Sequence, residues 1–427
     1  MKSLSQFILY STQKLKPLLL KIFPQKILRN LKGKMITESL NNMNNINILP
    51  FERSKYKDGI NLIGNVKAET GLGQSCRLVA NEIENSDYDF VIYNYNQLGS
   101  ISENNKQWNH KISEELSYNI NLIHINPHEL GLAFTQLPKS FWDYRYNIGF
   151  WLWEIEEFPD EWIPCFHCLD EIWTPSEFIS QSIRKKTQLP VITIPYCVEA
   201  QIQKKADRGY YNLPNDQFLF LTMYDHNSIV ERKNPMAVID AFRKAFDCHN
   251  TKVGLVIKIS NATKSDIKMI ETAMEGYSNF YIMSDVLSKE DVNGLIETVD
   301  VLVSLHRAEG FGLVLAEAML LGTPTIATNW SSNIEFMNSE VSCLVKYTMK
   351  VIEKDLGPFK KGNQWADPDV DDAADFMIKL YDDSIYYEEI STKARLYLEE
   401  KLSMDITKLK INKRLLKILD SSLGEKT

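Results

Sequence analysis

One pattern recurs along the chain: a short, nearly continuous apolar run, a turn rich in glycine or asparagine, then apolar residues at helical spacing. Strands that are apolar on both faces and alternate with helices predict a parallel sheet covered on both sides. A first set of such strands is expected near 60–63, 90–93, 120–125, 146–151, 171–174 and 191–194. A second set is expected near 218–222, 253–259, 280–283, 301–305 and 325–328. Between them, residues 195–215 carry proline, glycine and a local charge run, which marks a boundary. The fold class is therefore α/β, with two Rossmann-like doubly wound domains facing a central cleft and a charged helical segment at the C-terminus. The expected divisions are an extension and linker over 1–55, domains over 56–200 and 213–385, and helices over 386–427 that pack back on the first domain. In such sheets ligands sit at the carboxyl ends of strands, beside helix N-termini.

That rule directs attention to His306-Arg-Ala-Glu309-Gly310-Phe311-Gly312-Leu-Val-Leu-Ala-Glu317. The segment follows a strand and opens a helix near Gly312 or Leu313, which Gly322-Thr-Pro324 ends. Glu309 falls in the loop and Glu317 in the second helical turn. Carboxylates are costly to bury unpaired, so two of them here call for partners. Gly310 and Gly312 let the backbone approach a ligand and leave amides at a helix N-terminus, which suits an anion. Carboxylates accept hydrogen bonds from vicinal hydroxyls. An anion cradled by amides, with hydroxyls held by two acids, describes a nucleotide-sugar.

This segment, with Gly322-Thr-Pro-Thr-Ile-Ala327, resembles the E-x7-E signature of family-four retaining glycosyltransferases of the GT-B fold. The resemblance implies that Glu309 contacts the hydroxyls of the donor sugar and Glu317 the ribose, with His306, Gly310, Phe311 and Gly312 around the donor. It covers about 60–402. The segment from Met223 to Pro235 corresponds to the junction that supplies cations to the donor diphosphate, which implies that role for Arg232 and Lys233. Both precede a helix N-terminus, where Asn234 stands at the cap position and Pro235 at the first helical position. Tyr224-Asp225 replaces the commoner Gly-Arg, so the division of phosphate contacts between Arg232 and Lys233 stays open. The loop Glu69-Thr-Gly71-Leu-Gly73 fits a turn that cradles donor phosphate or faces the acceptor; a plain strand–helix turn fits it as well. Lys258, at a strand end, is a further candidate for the donor phosphates, or else a solvated lysine.

Gly149-Phe-Trp-Leu-Trp153-Glu154, Asp170-Glu-Ile-Trp-Thr-Pro-Ser176 and Asn329-Trp-Ser-Ser-Asn333-Ile-Glu335 resemble members found in bacterial surface-polysaccharide assembly, including lipopolysaccharide synthesis. Glu154 takes the place of a histidine in many relatives, which makes it a candidate at the reaction centre or acceptor. His128 could supply the missing imidazole or have no role. Trp151, Trp153, Phe158 and Trp162 form either a sugar-stacking platform or core packing. Val191 to Glu199 resembles the hinge turn, with Cys197 in place of glycine.

The expected activity is transfer of a hexose or related sugar from a nucleoside-diphosphate sugar to a glycan or lipid-linked acceptor, with retention and with no cofactor or metal. An inactive GT-B carbohydrate-binding scaffold and a GT-B sugar-nucleotide epimerase are the alternatives. No G-x-G-x-x-G with an acid about 20 residues on follows a strand, which disfavours a dinucleotide oxidoreductase.

Composition sets the remaining bounds. A net charge of −8 over 427 residues argues against nucleic acid as a partner. The first 37 residues hold eight Lys or Arg and no acid, so the rest of the chain carries −16. With Phe7, Leu18, Leu19, Ile22 and Phe23 among them, this basic amphipathic segment suits the anionic inner face of a cytoplasmic membrane. The alternative is an extension packed on its own domain or disordered. Cytoplasmic, peripheral localisation is the expectation. Cys165-Phe-His-Cys168 lacks a second pair at metal-binding spacing, so the six cysteines read as thiols of a reducing compartment.

Overall fold

The computed structural model describes residues 33, 36–96, 103–200, 202 and 207–421. The basic segment 1–37 lies outside them except for 33, 36 and 37, and so does its proposed membrane contact. No helix among the described residues is long and apolar enough to cross a membrane. The chain divides into two compact units. The first comprises residues up to Leu152, Phe158–Cys197 and those from Met404 onward; the second comprises Trp153–Glu157 and Val198–Ser403.

The first unit holds strands β1 (Lys57–Gly64), β2 (Phe90–Asn94), β3 (Tyr118–His124), β4 (Tyr146–Phe150), β5 (Glu171–Thr174) and β6 (Val191–Thr193). They form one parallel sheet in the order β2-β1-β3-β4-β5-β6. Its helices are α1 (Gly71–Glu84), α2 (Pro127–Gln136) and α3 (Glu177–Arg184). The second unit holds β7 (Phe218–Asp225), β8 (Val253–Ser260), β9 (Phe280–Met283), β10 (Val301–Ser304), β11 (Thr325–Thr328) and β12 (Cys343–Val345). These also pair in parallel, in the order β12-β11-β10-β7-β8-β9. Its helices are the single turn α4 (Val230–Lys233), α5 (Pro235–Ala245), α6 (Lys264–Ala273), α7 (Lys289–Thr298), α8 (Leu313–Leu320), α9 (Val370–Asp382) and α10 (Ser384–Lys401). The last helix, α11 (Met404–Ser421), belongs to the first unit, whereas α10 stays with the second.

Strand order reverses twice. In the first sheet β1 lies between β2 and β3, and in the second β7 lies between β8 and β10. Each reversal, between β1 and β3 and between β7 and β10, opens a crevice beyond the carboxyl ends of those strands, where doubly wound sheets bind ligands. In the second unit the two loops that meet at this point are those after β7 and after β10.

Several elements escaped the pattern reading. β12 has only three residues, too few to show a period. It is followed by an antiparallel hairpin of β13 (Tyr347–Val351) and β14 (Gln364–Pro368). Every residue of β13 is exposed, so burial leaves no alternation to read. Within the expected extension and linker over 1–55, Met43 is buried with its sulfur 3.8 Å from Cys165 Sγ.

Polar groups fix the first sheet from inside. Asn61, Asn121 and Asn147 occupy one register row on β1, β3 and β4. Asn61 Nδ2 donates to Asn121 Oδ1 at 2.9 Å, and Asn121 Nδ2 to Asn147 Oδ1 at 2.7 Å, all three side chains being buried. A one-residue slip would leave these amides unpaired in the core, so the row specifies register.

A second buried device holds α11. Glu171 on β5 is 0% exposed and accepts from Trp173 Nε1 at 2.6 Å, Tyr146 Oη at 3.0 Å and Arg414 Nε at 2.7 Å. Arg414→Ala leaves a buried carboxylate without its cation and is expected to cost about 3–5 kcal/mol. Urea unfolding followed by tryptophan fluorescence should show the transition of the first unit move to lower denaturant. An unchanged midpoint contradicts the latch.

Candidate active site

The loop after β7 carries two unusual backbone angles. Ile229 has φ +60°, a costly value for a β-branched residue, and Asn234 has φ +54°. Together they turn the chain through α4 and directly into α5. Asn234 stands at the N-cap of α5, as the sequence predicts, but makes no side-chain cap bond; its Nδ2 donates to Leu305 O at 2.9 Å. The amide thus ties the loop after β7 to the end of β10. Arg307 N donates to Arg232 O at 2.8 Å and reinforces the tie.

This pairing places both cations against Glu309. Lys233 Nζ lies 2.5 Å and Arg232 Nη1 3.6 Å from Glu309 Oε2. Arg232 is buried and also donates to Ala308 O at 2.8 Å, so it braces the loop, whereas Lys233 is partly exposed. Burial pushes the Glu309 carboxyl up, but Lys233, and after it Arg232 and His306, outweigh burial and hold it at about 2. Burial also pushes Glu154 up; Arg232 opposes this shift and Glu309 adds to it. Glu154 belongs to the second unit and lies within electrostatic reach of both.

His306 is fully buried. Its Nε2 faces Asn333 Oδ1 at 3.1 Å and Trp330 O at 3.3 Å, both acceptors, so Nε2 carries the proton and Nδ1 faces Ser304 Oγ at 3.1 Å. Both ring nitrogens are engaged within the protein, and the ring braces the loop. Ser331, at φ +79°, accepts from Glu309 N through Oγ at 3.1 Å. The Trp330-Ser-Ser-Asn333 stretch therefore supports the glutamate loop from behind, a role that sequence pattern gave no means of assigning.

Gly312 sits at φ +96° at the N-cap of α8, with no side chain capping that helix. A Cβ there would meet nothing closer than 3.4 Å, so conformation and not crowding requires glycine. The first amides of α8 have no intrahelical acceptors. Phe311 is buried against Phe336, with ring centroids 5.2 Å apart. Glu317, in the second turn, is 2% exposed, and Lys289 Nζ lies 2.5 Å from its Oε2. Lys289 was not singled out by sequence.

Lys258 is not a solvated lysine. It is 2% exposed at the end of β8, and burial pulls its pKa down against Asp285 and Asp225. Trp153 is 1% exposed; its Nε1 donates to Glu157 O at 3.0 Å and its ring lies 5.3 Å from that of Phe359. Trp151 and Trp162 are likewise buried, each in ring contact with the buried Phe158. Packing accounts for this aromatic group. Asp-x-Asp spacing occurs at Asp87-Tyr-Asp89, Asp367-Pro-Asp369 and Asp369-Val-Asp371. Asp367 is bound by Arg307 Nε at 2.7 Å, and Asp369 caps α9.

In the first unit, Thr70 Oγ1 accepts from Gly73 N at 3.1 Å and starts α1. A Cβ at Gly73 would fall 2.1 Å from Ala68 O, whereas Gly71 has open space around it. His128 lies in the first turn of α2, its side chain 43% exposed and its Nε2 3.9 Å from Glu129 Oε1. A different histidine, His124, ends β3. It stacks on Phe150 at 5.2 Å and faces Ser75 Oγ at 2.6 Å, and burial lowers its pKa to about 4. Cys165 and Cys168 are buried, and each donates its thiol to a backbone carbonyl.

Residues 203–397, slightly under half of the chain, match the family described as glycosyl transferases group 1. By sequence, no curated protein matches the chain. Among solved structures, HepE of Anabaena in complex with UDP and glucose is similar at TM-score 0.62 and 13% identity, over 86% of this chain and 100% of that one. Sucrose-phosphate synthase of Thermosynechococcus elongatus reaches TM-score 0.63 at 12% identity, with coverages of 86% and 100%. Trehalose 6-phosphate synthase of Burkholderia multivorans reaches 0.59 at 10%, with 87% and 99%. At such identities the likeness is one of fold, and the fold is GT-B, with two six-stranded parallel-sheet domains and C-terminal helices.

Because Glu309 is held at about 2 against an ordinary 4.5, its stability contribution is present above pH 4.5 and lost as pH falls toward 2. The contribution is about 3 kcal/mol. Denaturant midpoints of the wild type and Glu309→Gln should differ by a gap that narrows across this window. A gap independent of pH contradicts the assignment.

Proposed function

We propose that this protein is a retaining glycosyltransferase that moves a hexose or related sugar from a nucleoside-diphosphate sugar to a glycan or lipid-linked acceptor. The observation that carries the reading is the Lys233–Glu309 contact at a sheet's topological reversal, beside an uncapped helix N-terminus. UDP is the proposed donor nucleotide, supported by the UDP bound to the HepE neighbour.

In this reading the second unit binds the donor and the first the acceptor. The diphosphate lies against Lys233, Arg232 and the amides of Gly310 to Leu313, with Lys258 as a further donor contact. A carboxyl held at about 2 is ionised at neutral pH, so Glu309 accepts hydrogen bonds from sugar hydroxyls and does not donate a proton. Glu317 accepts from the ribose. As the bond between the anomeric carbon and the diphosphate oxygen breaks, negative charge grows on the leaving group, and the two cations and the amides stabilise it. The acceptor hydroxyl bonds to the same face of that carbon and passes its proton to the departing phosphate oxygen. No divalent metal or cofactor takes part. Glu154 and His128 are the proposed contacts toward the acceptor. We place the reaction in cell-surface polysaccharide or lipopolysaccharide synthesis, on the cytoplasmic side of a membrane that residues 1–37 contact.

With a panel of nucleoside-diphosphate sugars, the purified chain should turn over at least one donor. Lys233→Ala and Glu309→Gln should each lower kcat by about 10²–10³, and the product should keep the donor's anomeric configuration by NMR. Failure of every donor to bind sinks the proposal.

A further inference from the structure

We propose that Lys289 sets ribose recognition by holding Glu317 as an oriented carboxylate; the inference rests on the donor reading above. Glu317 projects from the second turn of α8 and is 2% exposed. A charge so deeply buried needs a partner, and Lys289 Nζ supplies one, 2.5 Å from Oε2. The lysine reaches it from the first residue of α7, with 32% of its side chain exposed.

Two features make this pair hard to explain as fold stabilisation. Lys289 occupies a helix N-terminus, where the backbone dipole disfavours a cation. The rest of that turn follows the usual preference, with Glu290 and Asp291 in it and Ser288 Oγ accepting from Asp291 N at 3.1 Å. In addition, a buried ion pair at best roughly offsets its own desolvation, and apolar residues of similar volume would serve the core as well. The pair is accounted for if the carboxylate itself is needed.

An ionised carboxylate offers lone pairs on both oxygens. With Oε2 held by Lys289, Oε1 keeps its capacity to accept from a hydroxyl. Without the lysine, the buried Oε2 loses its cation and the carboxylate loses the contact that orients it. Lys289 is thus a positioning residue that acts on ribose through Glu317.

Titration calorimetry of the full chain with UDP and with 2′,3′-dideoxy-UDP tests this. Hydrogen bonds to a charged group predict that wild type prefers UDP by about tenfold or more. Lys289→Met should bring the two affinities within about threefold of each other by weakening UDP alone, and Lys289→Arg should restore the preference. A purely structural lysine would weaken both ligands equally or neither. A Lys289→Met protein that keeps the wild-type preference, or loses both ligands together, overturns the inference while leaving the donor reading intact. Wild type that binds neither nucleotide overturns both.

Discussion

The second unit is organised around one electrostatic requirement: a carboxylate shielded from water must be met by cations. Glu309 comes from the loop after β10, and Arg232 and Lys233 come from the loop after β7. These strands are neighbours only because the sheet reverses its order between them. Asn234 and Arg307 bind the two loops together, and His306, Ser331 and Asn333 support them from β11's side. Loosening any of these would leave a buried charge unmatched. The strained Ile229 is therefore a consequence of bringing the cations to the acid and not an isolated irregularity.

The division of labour between the cations follows from burial. Arg232 donates Nη1 to Ala308 O and lies 3.6 Å from the same Glu309 oxygen that Lys233 meets. Lys233 is closer to the acid and more exposed, so an incoming anion meets it first. Under the proposed donor reading, a bound diphosphate takes the place of Glu309 as the partner of Lys233, and sugar hydroxyls take the place of Lys233 at Glu309, so neither charge is stranded.

Much of the architecture was legible because the parallel strands are apolar on both faces and the helices carry amphipathic stripes. All six strands of the first sheet and five of the six in the second follow from that periodicity, and the helix end at Gly322 follows from its glycine and Pro324. What escaped has physical reasons. β12 is too short to show a period, and β13 buries no face. Asn234 is the N-cap of α5 as its place before Pro235 predicts, but its left-handed backbone turns the side-chain amide to β10, a contact that spacing does not show. Lys289 and His124 could not be found by spacing, since each matters through a partner far away in sequence, Glu317 and Ser75 respectively. The tryptophans around 151–162 match core and binding surface equally in sequence, and only burial separates the two.

The central claim is positional: a diphosphate at Lys233, Arg232 and the amides of Gly310–Leu313, with the sugar at Glu309. A crystal structure of the chain with UDP and a non-transferable UDP-sugar tests it most directly. The account predicts phosphate oxygens within hydrogen-bond distance of Lys233 Nζ and of the first amides of α8, and sugar hydroxyls on Glu309. A diphosphate bound elsewhere, with the Lys233–Glu309 contact unchanged and the α8 amides facing water, would contradict it.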